Sequence, residues 1–120
     1  MTVTFDMFKD AKYLETFESG EMIFEQGDPG DFMYVFVEGE AEIILRGKVL
    51  NTLTLGDIFG EMALIDNRPR SAAAKAAAHT KLAPVDRFGF TYYVQHSPFF
   101  ALDVMEIMAE RLRDQMEKGQ

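Results

Sequence analysis

The stretch Phe59-Gly-Glu-Met-Ala-Leu-Ile-Asp-Asn-Arg-Pro-Arg-Ser-Ala72 stands apart from the short strands and turns that surround it. Gly60 can bring the backbone close to a ligand, because glycine has no side chain and tolerates a wide range of φ. Residues 62–65 predict one helical turn, whose first N–H groups have no partner inside the turn. Such an N-terminus attracts anions, so the stretch predicts an anion-binding loop.

Two charged side chains of this stretch suit different groups of one ligand. Pro69 pushes Arg68 out of the helical region, ends the turn and aims Arg70 in a defined direction. The guanidinium of Arg70 matches phosphate oxygens two at a time. An ionised Glu61 accepts hydrogen bonds and donates none, so it suits a sugar hydroxyl. The residues predict a site for a phosphate and a hydroxyl, although an ordinary surface loop with a salt-bridged arginine has a similar composition.

The charge of the chain restricts its partners. The 120 residues carry a formal net charge of -8, which disfavours direct nucleic-acid binding. Segment 60–75 nevertheless has a local charge of +1 from three cations and two anions: Arg68, Arg70, Lys75, Glu61 and Asp66. An anionic ligand is therefore tolerable at this segment.

Several classes of protein are disfavoured by the composition. The sequence has no cysteine, and its two histidines, His79 and His96, are too few for a cupin-type metalloenzyme. No activated nucleophile is recognisable, so we expect no enzyme activity, no metal and no cofactor. Neither a signal peptide nor an apolar run of about 18 residues occurs, which predicts a cytoplasmic protein without membrane contact.

The sequence on either side of the quoted stretch changes character from strand to helix. Residues 22–59 consist of short apolar runs between glycine-bearing turns, which predicts an all-β segment with a doubly buried strand at 32–37. Residues 88–95 and 98–118 predict two helices, with Ser97 as the N-cap of the second. The apolar residues of the second helix recur at helical spacing: Ala101, Leu102, Met105, Met108, Ala109, Leu112 and Met116.

The quoted stretch resembles the phosphate-binding cassette of cyclic nucleotide-binding domains, whose pattern is Phe-Gly-Glu, x-Ala-Leu and then Pro-Arg with small residues. Segments 20–24, 27–31 and 34–39 resemble the opening strands of the same family, in the same order and at compatible spacing. This resemblance implies a mainly β fold, an eight-stranded jelly-roll (double-stranded β-helix) sandwich with a C-terminal lid helix. It also implies that residues 71–77 form a strand lining the pocket, against the helix preference of alanine.

The length of 120 residues predicts one domain over residues 1–120, and the resemblance covers nearly all of it. Its parts are an N-terminal helical segment 1–12, a sandwich 13–86 containing the cassette 59–74, and C-terminal helices 87–118. It is expected to be a stand-alone domain, with the alternative that the sequence is a fragment of a larger regulator.

Roles for single residues follow from the same resemblance. Glu61 is expected to accept from the ribose 2′-OH, and Arg70 to pair with the cyclic phosphate. Leu64 is expected to transmit cassette movement to the lid helix. Amides near Gly60, Met62, Ala63 and Ala72 are expected to assist. Ser71 occupies the position of a residue that helps choose the base, and serine by itself leaves the choice between cAMP and cGMP open. Bacterial cAMP-receptor regulators also have serine at this position, so the resemblance favours cAMP.

The expected partners are therefore a cyclic nucleotide and a protein effector. A homodimer through Met105, Met108, Leu112 and Met116 is a further possibility. The alternative function is a domain of the same fold that has lost its ligand and serves as an interaction scaffold. Intact Glu61 and Arg70 favour the receptor.

Overall fold

The structure, a computed structural model, describes Phe8 and residues 13–66 and 68–118. Within these residues eight strands precede two helices. The strands are β1 (Glu15–Phe17), β2 (Met22–Phe24), β3 (Met33–Glu38), β4 (Glu40–Leu45), β5 (Lys48–Thr54), β6 (Ile58–Phe59), β7 (Ala73–Ala76) and β8 (Thr80–Val85). A short 3-10 helix spans Glu61–Leu64, and the two α-helices are α1 (Arg87–His96) and α2 (Phe99–Lys118).

The strands pair antiparallel in two four-stranded sheets. The first sheet has the order β1-β8-β3-β6 and the second has the order β2-β7-β4-β5. The predicted eight-stranded sandwich with C-terminal helices is thereby confirmed. The predicted helical segment 1–12 lies outside the described residues except for Phe8, which is fully buried.

Strand β3 is buried on both faces, as its sequence predicts. Met33 and Val35 belong to a core between the first sheet and the helices, where Phe8 and Phe100 also pack. Tyr34 and Phe36 belong to a second core between the two sheets. Because alternate side chains of a strand point to opposite faces, one apolar run supplies both cores.

The alanine-rich segment forms a strand, although alanine alone prefers a helix. Strand β7 pairs with β2 on one side and with β4 on the other. Ala74 and Ala76 are completely buried, so tertiary packing overrides intrinsic preference. The strand is shorter than predicted, and Ser71 and Ala72 form the bend that precedes it. These two bend residues line the pocket, whereas the strand itself does not.

The two helices begin within about one residue of their predicted positions. Asp86 caps α1, where its carboxylate accepts from the N–H of Gly89 at 2.7 Å. Ser97 ends α1, since its N–H donates to the carbonyl of Tyr93 at 2.8 Å, and its own carbonyl accepts from the N–H of Phe100 in the first turn of α2 at 2.9 Å. Helix α2 starts at Phe99, one residue after Pro98.

The face of α2 that packs on the sandwich differs from the predicted apolar stripe. Phe100, Val104 and Ile107 are buried against the first sheet. Most of the predicted stripe is instead exposed: Leu102, Met105, Leu112 and Met116 are each more than half exposed. The helix carries apolar residues on two faces, so periodicity alone could not identify the inner one. Within the described residues, no helix has the length and apolar character needed to cross a bilayer.

Candidate functional site

The site begins where the chain leaves strand β6. Gly60 has a φ of 75°, a left-handed conformation that favours glycine, and the 3-10 helix follows at once. A Cβ at Gly60 would lie 2.6 Å from Nη1 of Arg70. Glycine is therefore required both by the turn and by the close approach of Arg70. The helical turn predicted at 62–65 forms one residue earlier, and the N–H of Ala63 donates to the carbonyl of Gly60 at 3.1 Å.

The side chain of Arg70 is directed into the protein and is only 8% exposed. Its Nη2 donates to the carbonyl of Phe32 at 2.6 Å, and its Nη1 donates to the carbonyl of Gly60 at 3.3 Å. Its Nε is buried and has no hydrogen-bond partner within the described part of the chain. A buried donor without a partner costs about 1–3 kcal/mol, so this nitrogen marks a place where an acceptor would be stabilised.

The backbone of Arg70 is tied to the loop after β2. Its N–H donates to the carbonyl of Asp28, and its carbonyl accepts from the N–H of Gly27, both at 2.8 Å. Burial lowers the pKa of Arg70, while Tyr34, Asp31 and Asp28 oppose the shift. The guanidinium stays charged, because its ordinary pKa lies far above neutral pH. A fixed positive charge thus sits at the base of the site.

Tyr34 lies beside Arg70 and belongs to a cluster of aromatic rings with Phe24 and Phe59. Burial raises the pKa of Tyr34 to about 12; the carboxylate of Glu15 adds to the rise, and Arg70 opposes it. The Tyr34 ring stacks on Phe59 at a centroid distance of 5.2 Å. The phenol is therefore neutral throughout the physiological pH range.

Glu61 forms an ion pair with a residue that sequence reasoning missed. Nη1 of Arg111, on α2, donates to Oε1 of Glu61, and Nη2 of Arg111 donates to the carbonyl of Ile58. The Glu61 side chain is 14% exposed and that of Arg111 is 32% exposed. The predicted ribose acceptor is thus already linked to the predicted lid helix.

All seven predicted binding residues line one cavity of about 430 Å³: Gly60, Glu61, Met62, Ala63, Arg70, Ser71 and Ala72. The cavity also receives Phe24 from β2, Asn51 from β5, and Arg111 and Gln115 from α2. Arg111 and Gln115 are four residues apart on one helix and so share a face. That spacing is visible in the sequence, but only the fold shows that this face meets the cassette.

The charges around the cavity sum to +1, as predicted, but from a different set of residues. Lys75 lies on β7 and does not line the cavity, whereas Arg111 does. The lining charges are three cations and two anions: Arg68, Arg70, Arg111, Glu61 and Asp66. The site is therefore locally positive in a chain of net charge -8.

Leu64 does not line this cavity. It packs against the core beneath the helices, and its carbonyl accepts from Nη2 of Arg87 at 2.9 Å. Leu64 and Glu61 both line a second cavity of about 350 Å³, which lies between the 3-10 helix and α2 and has mostly apolar walls. Leu64 thus connects the cassette to both C-terminal helices.

The two histidines lie outside the site. Nδ1 of His79 is 2.5 Å from Oε1 of Glu18, and Nδ1 of His96 is 2.9 Å from the carbonyl of Tyr92. Neither lines the cavity. In the described ranges no three His, Asp or Glu side chains are grouped to hold a metal ion.

Comparisons with known proteins give consistent matches. Residues 14–97 match the family model described as the cyclic nucleotide-binding domain. A cAMP-dependent protein kinase regulatory subunit of Emericella nidulans is 40% identical over 90 residues, which are 72% of this chain and 22% of that protein. The corresponding subunit of Schizosaccharomyces pombe is 42% identical over 79 residues, 65% of this chain and 19% of that protein. The chain thus spans about a fifth of the length of these relatives.

Solved structures share the fold over almost the whole chain. The catabolite activator protein of Thermus thermophilus superposes with a TM-score of 0.79 at 30% identity, covering 94% of this chain and 55% of that one. A structure described as Sp-2Cl-cAMPS bound to PKAR CBD2 superposes with a TM-score of 0.70 at 26% identity, covering 96% of this chain and 84% of that one.

Proposed function

The chain belongs to the cyclic nucleotide-binding domain family, and on that premise we propose that it is a receptor for a cyclic nucleotide, with cAMP preferred over cGMP. The observation that carries the proposal is the position of Arg70. Its buried guanidinium lines the cavity with an Nε that has no acceptor among the described residues, and Glu61 lines the same cavity. The volume of about 430 Å³ falls within the usual range of about 300–1,000 Å³ for ligand pockets.

In this proposal the two charged residues hold different parts of the ligand. Arg70 pairs with the cyclic phosphate, because only two of its five N–H groups bond to carbonyls of the described residues and three remain. Glu61 accepts from the ribose 2′-OH while keeping its ion pair with Arg111, since a carboxylate has about four acceptor positions. Amides near Gly60, Met62 and Ala72 assist.

The choice of base is assigned to Ser71, the residue that follows Arg70. Ser71 is exposed at the cavity and favours cAMP, as its resemblance to bacterial cAMP receptors implies. Two related proteins whose solved structures are described as cAMP-bound, PfPKA-R and the EAL enzyme Bd1971, are 28% and 32% identical to this chain. These relatives support cAMP as the first ligand to test.

Titration calorimetry with cAMP, cGMP and 5′-AMP tests the proposal. We expect saturable binding of cAMP, weaker binding of cGMP and much weaker binding of 5′-AMP, whose open phosphate carries more charge and lacks the ring. Arg70→Ala should cost about 2–5 kcal/mol of binding, as is usual when one member of a desolvated charge pair is truncated. Arg113→Ala, at an exposed position outside the cavity, is the control.

The rival function is a scaffold of the same fold without a ligand. Absence of heat with all three nucleotides, in a protein that unfolds cooperatively, would favour that function. We also propose that the chain does not act as an enzyme. Recovery of unchanged cAMP after prolonged incubation would support a receptor, and hydrolysis would contradict it.

For the output, we propose that ligand binding in the cassette moves α2 and thereby regulates a cytoplasmic protein effector. Two contacts support this route: Leu64 packs among residues of the helices, and Arg111 bonds to Glu61 and to the carbonyl of Ile58. Hydrogen exchange along α2 should change when cAMP is added. Unchanged exchange of α2 in a protein that binds cAMP would contradict this route while leaving the receptor function intact.

We also propose a homodimer through α2, with a set of contact residues that differs from the predicted one. Met108 packs against the internal core, so it is unavailable to a partner. The outward residues recur at alternating spacings of three and four, as in a coiled-coil seam: Leu102, Met105, Ala109, Leu112 and Met116. Light scattering of the wild type and Leu112→Glu tests it, since a dimer should become a monomer in the variant.

A further inference from the structure

The charged group of Arg70 lies over an aromatic ring. Cζ of Arg70 lies 4.2 Å from the ring centroid of Phe24 and 5.8 Å from that of Tyr34. The two rings lie close to parallel, with centroids 6.2 Å apart and an interplanar angle of 27°. A guanidinium over an aromatic face at this distance is attracted by the negative charge of the π system.

The edge of the same guanidinium is fixed by backbone carbonyls. Nη2 donates to Phe32 and Nη1 donates to Gly60, at 2.6 and 3.3 Å. The same charged group therefore has two kinds of contact, hydrogen bonds to backbone carbonyls and the attraction of its charge to the Phe24 ring. Together these contacts restrict the orientation of the guanidinium.

The position of Phe24 follows from the connection between β2 and the cassette. The pairing register of β2 with β7 shifts between Met22 and Phe24. The loop after β2 is bonded to both backbone groups of Arg70 through Gly27 and Asp28. Strand β2 thus carries Phe24, and the loop that follows β2 binds the backbone of Arg70, whose guanidinium lies over the Phe24 ring.

We propose that Phe24 is a positioning residue for Arg70, which holds the guanidinium plane so that its remaining edge donors meet the phosphate. The inference rests on the proposed role of Arg70 as the phosphate ligand. An aliphatic side chain at position 24 would still exclude water, but it would not attract the charge. The guanidinium would then be free to leave this orientation, and phosphate binding would require it to be ordered again.

Calorimetry with cAMP on three variants tests the proposal. Phe24→Leu should bind cAMP roughly 3- to 30-fold more weakly, the range expected for loss of a cation–π contact that is partly to fully desolvated. Phe24→Tyr retains the ring and should restore affinity to near the wild-type value. Phe17→Leu is the matched control, because Phe17 packs against the same core outside the cavity. If Phe24→Leu does not fold, Phe24→Met replaces it.

Two further readouts separate positioning from a general loss of structure. The ratio of affinities for cAMP and 2′-deoxy-cAMP should stay constant in Phe24→Leu, because that ratio reports the hydroxyl contact. In NMR spectra of the nucleotide-free protein, the Nε–H of Arg70 should show an upfield ring-current shift that Phe24→Leu removes and Phe24→Tyr retains. Arg70→Lys identifies the signal.

The possible outcomes distinguish this inference from the proposed function. If the wild type binds cAMP but Phe24→Leu binds as tightly as Phe17→Leu, Phe24 does not position Arg70. A changed 2′-deoxy ratio would also overturn the inference, since it would indicate distortion of the whole site. If the wild type binds no cyclic nucleotide, the proposed function fails, and the NMR shift still decides whether Phe24 holds the arginine.

Discussion

Replacing Arg111 by methionine should lower the free energy of unfolding by about 1–3 kcal/mol. The loss of one partner from a fully buried ion pair costs about 3–5 kcal/mol, whereas an exposed pair contributes about 0–1 kcal/mol. With side chains 14% and 32% exposed, Glu61 and Arg111 lie between these limits. The substitution also removes the donor to the carbonyl of Ile58. Methionine retains most of the apolar stem, so the charge and its hydrogen bonds are the main loss.

Urea denaturation at neutral pH measures this effect, and thermal unfolding should show a midpoint lower by roughly 3–12 °C for a domain of this size. Arg113→Met is the control, since Arg113 is an exposed arginine of the same helix. A double-mutant cycle with Glu61→Gln isolates the coupling between the two side chains. If Arg111→Met and Arg113→Met unfold within about 0.5 kcal/mol of each other, the inferred contribution of the ion pair is wrong.

Three other substitutions test separate parts of the site. Gly60→Ala should weaken cAMP binding about tenfold or more in calorimetry, because its Cβ would displace Nη1 of Arg70 and disturb a desolvated charge contact. Gly47→Ala, with a similar φ of 77° and open space around it, should show only the backbone strain. Glu61→Gln should narrow the difference in affinity between cAMP and 2′-deoxy-cAMP. If the ratio of the two affinities does not change, Glu61 does not bind the ribose 2′-OH. The raised pKa of Tyr34 contributes stability that is complete below pH 10 and is lost as pH rises to about 12. In Tyr34→Phe, the free energy of unfolding measured with urea should therefore depend less on pH between 10 and 12.

Much of the fold follows from local signals that the sequence displays directly. The two buried faces of β3 follow from apolar side chains at every position from Phe32 to Val37. Asp86 and Ser97 bound α1 because capping and chain reversal depend on a few neighbouring residues. The end of the 3-10 turn is local too, since Pro69 fixes its own φ and restricts the residue before it. Signals of this kind predict where elements begin and end.

The inner face of α2 was not predictable in the same way. Leu102, Met105 and Leu112 recur at helical spacing just as Phe100, Val104 and Ile107 do. Only packing against the first sheet decides that the second set is buried. Strand β7 was predicted correctly, but from the family resemblance and against the helix preference of alanine. The burial of Ala74 and Ala76 explains why this segment forms a strand.

The arginine of the cassette could be identified from the sequence, but the residues that hold it could not. Arg70 follows Pro69 in a recognisable pattern, whereas Phe24 and Tyr34 are separated from it by 46 and 36 residues and look like ordinary core. Their contact depends on the loop after β2 bonding to the backbone of Arg70. A cation–π contact has no spacing rule in sequence, since it requires only that a ring and a charge meet in space.

The net charge of the site depends on a residue that is distant in sequence from the cassette. The sequence predicted +1 by including Lys75, which follows Arg70 by five residues but lies on β7 outside the cavity. Arg111 supplies the missing charge from a helix 41 residues away from Arg70, and it also bonds to Glu61. A lysine beside the cassette would only raise the local potential, whereas Arg111 makes the charge of the site depend on where α2 lies. Movement of α2 away from the cassette would remove one positive charge from the cavity and leave Glu61 unpaired, which would weaken the attraction for an anionic ligand.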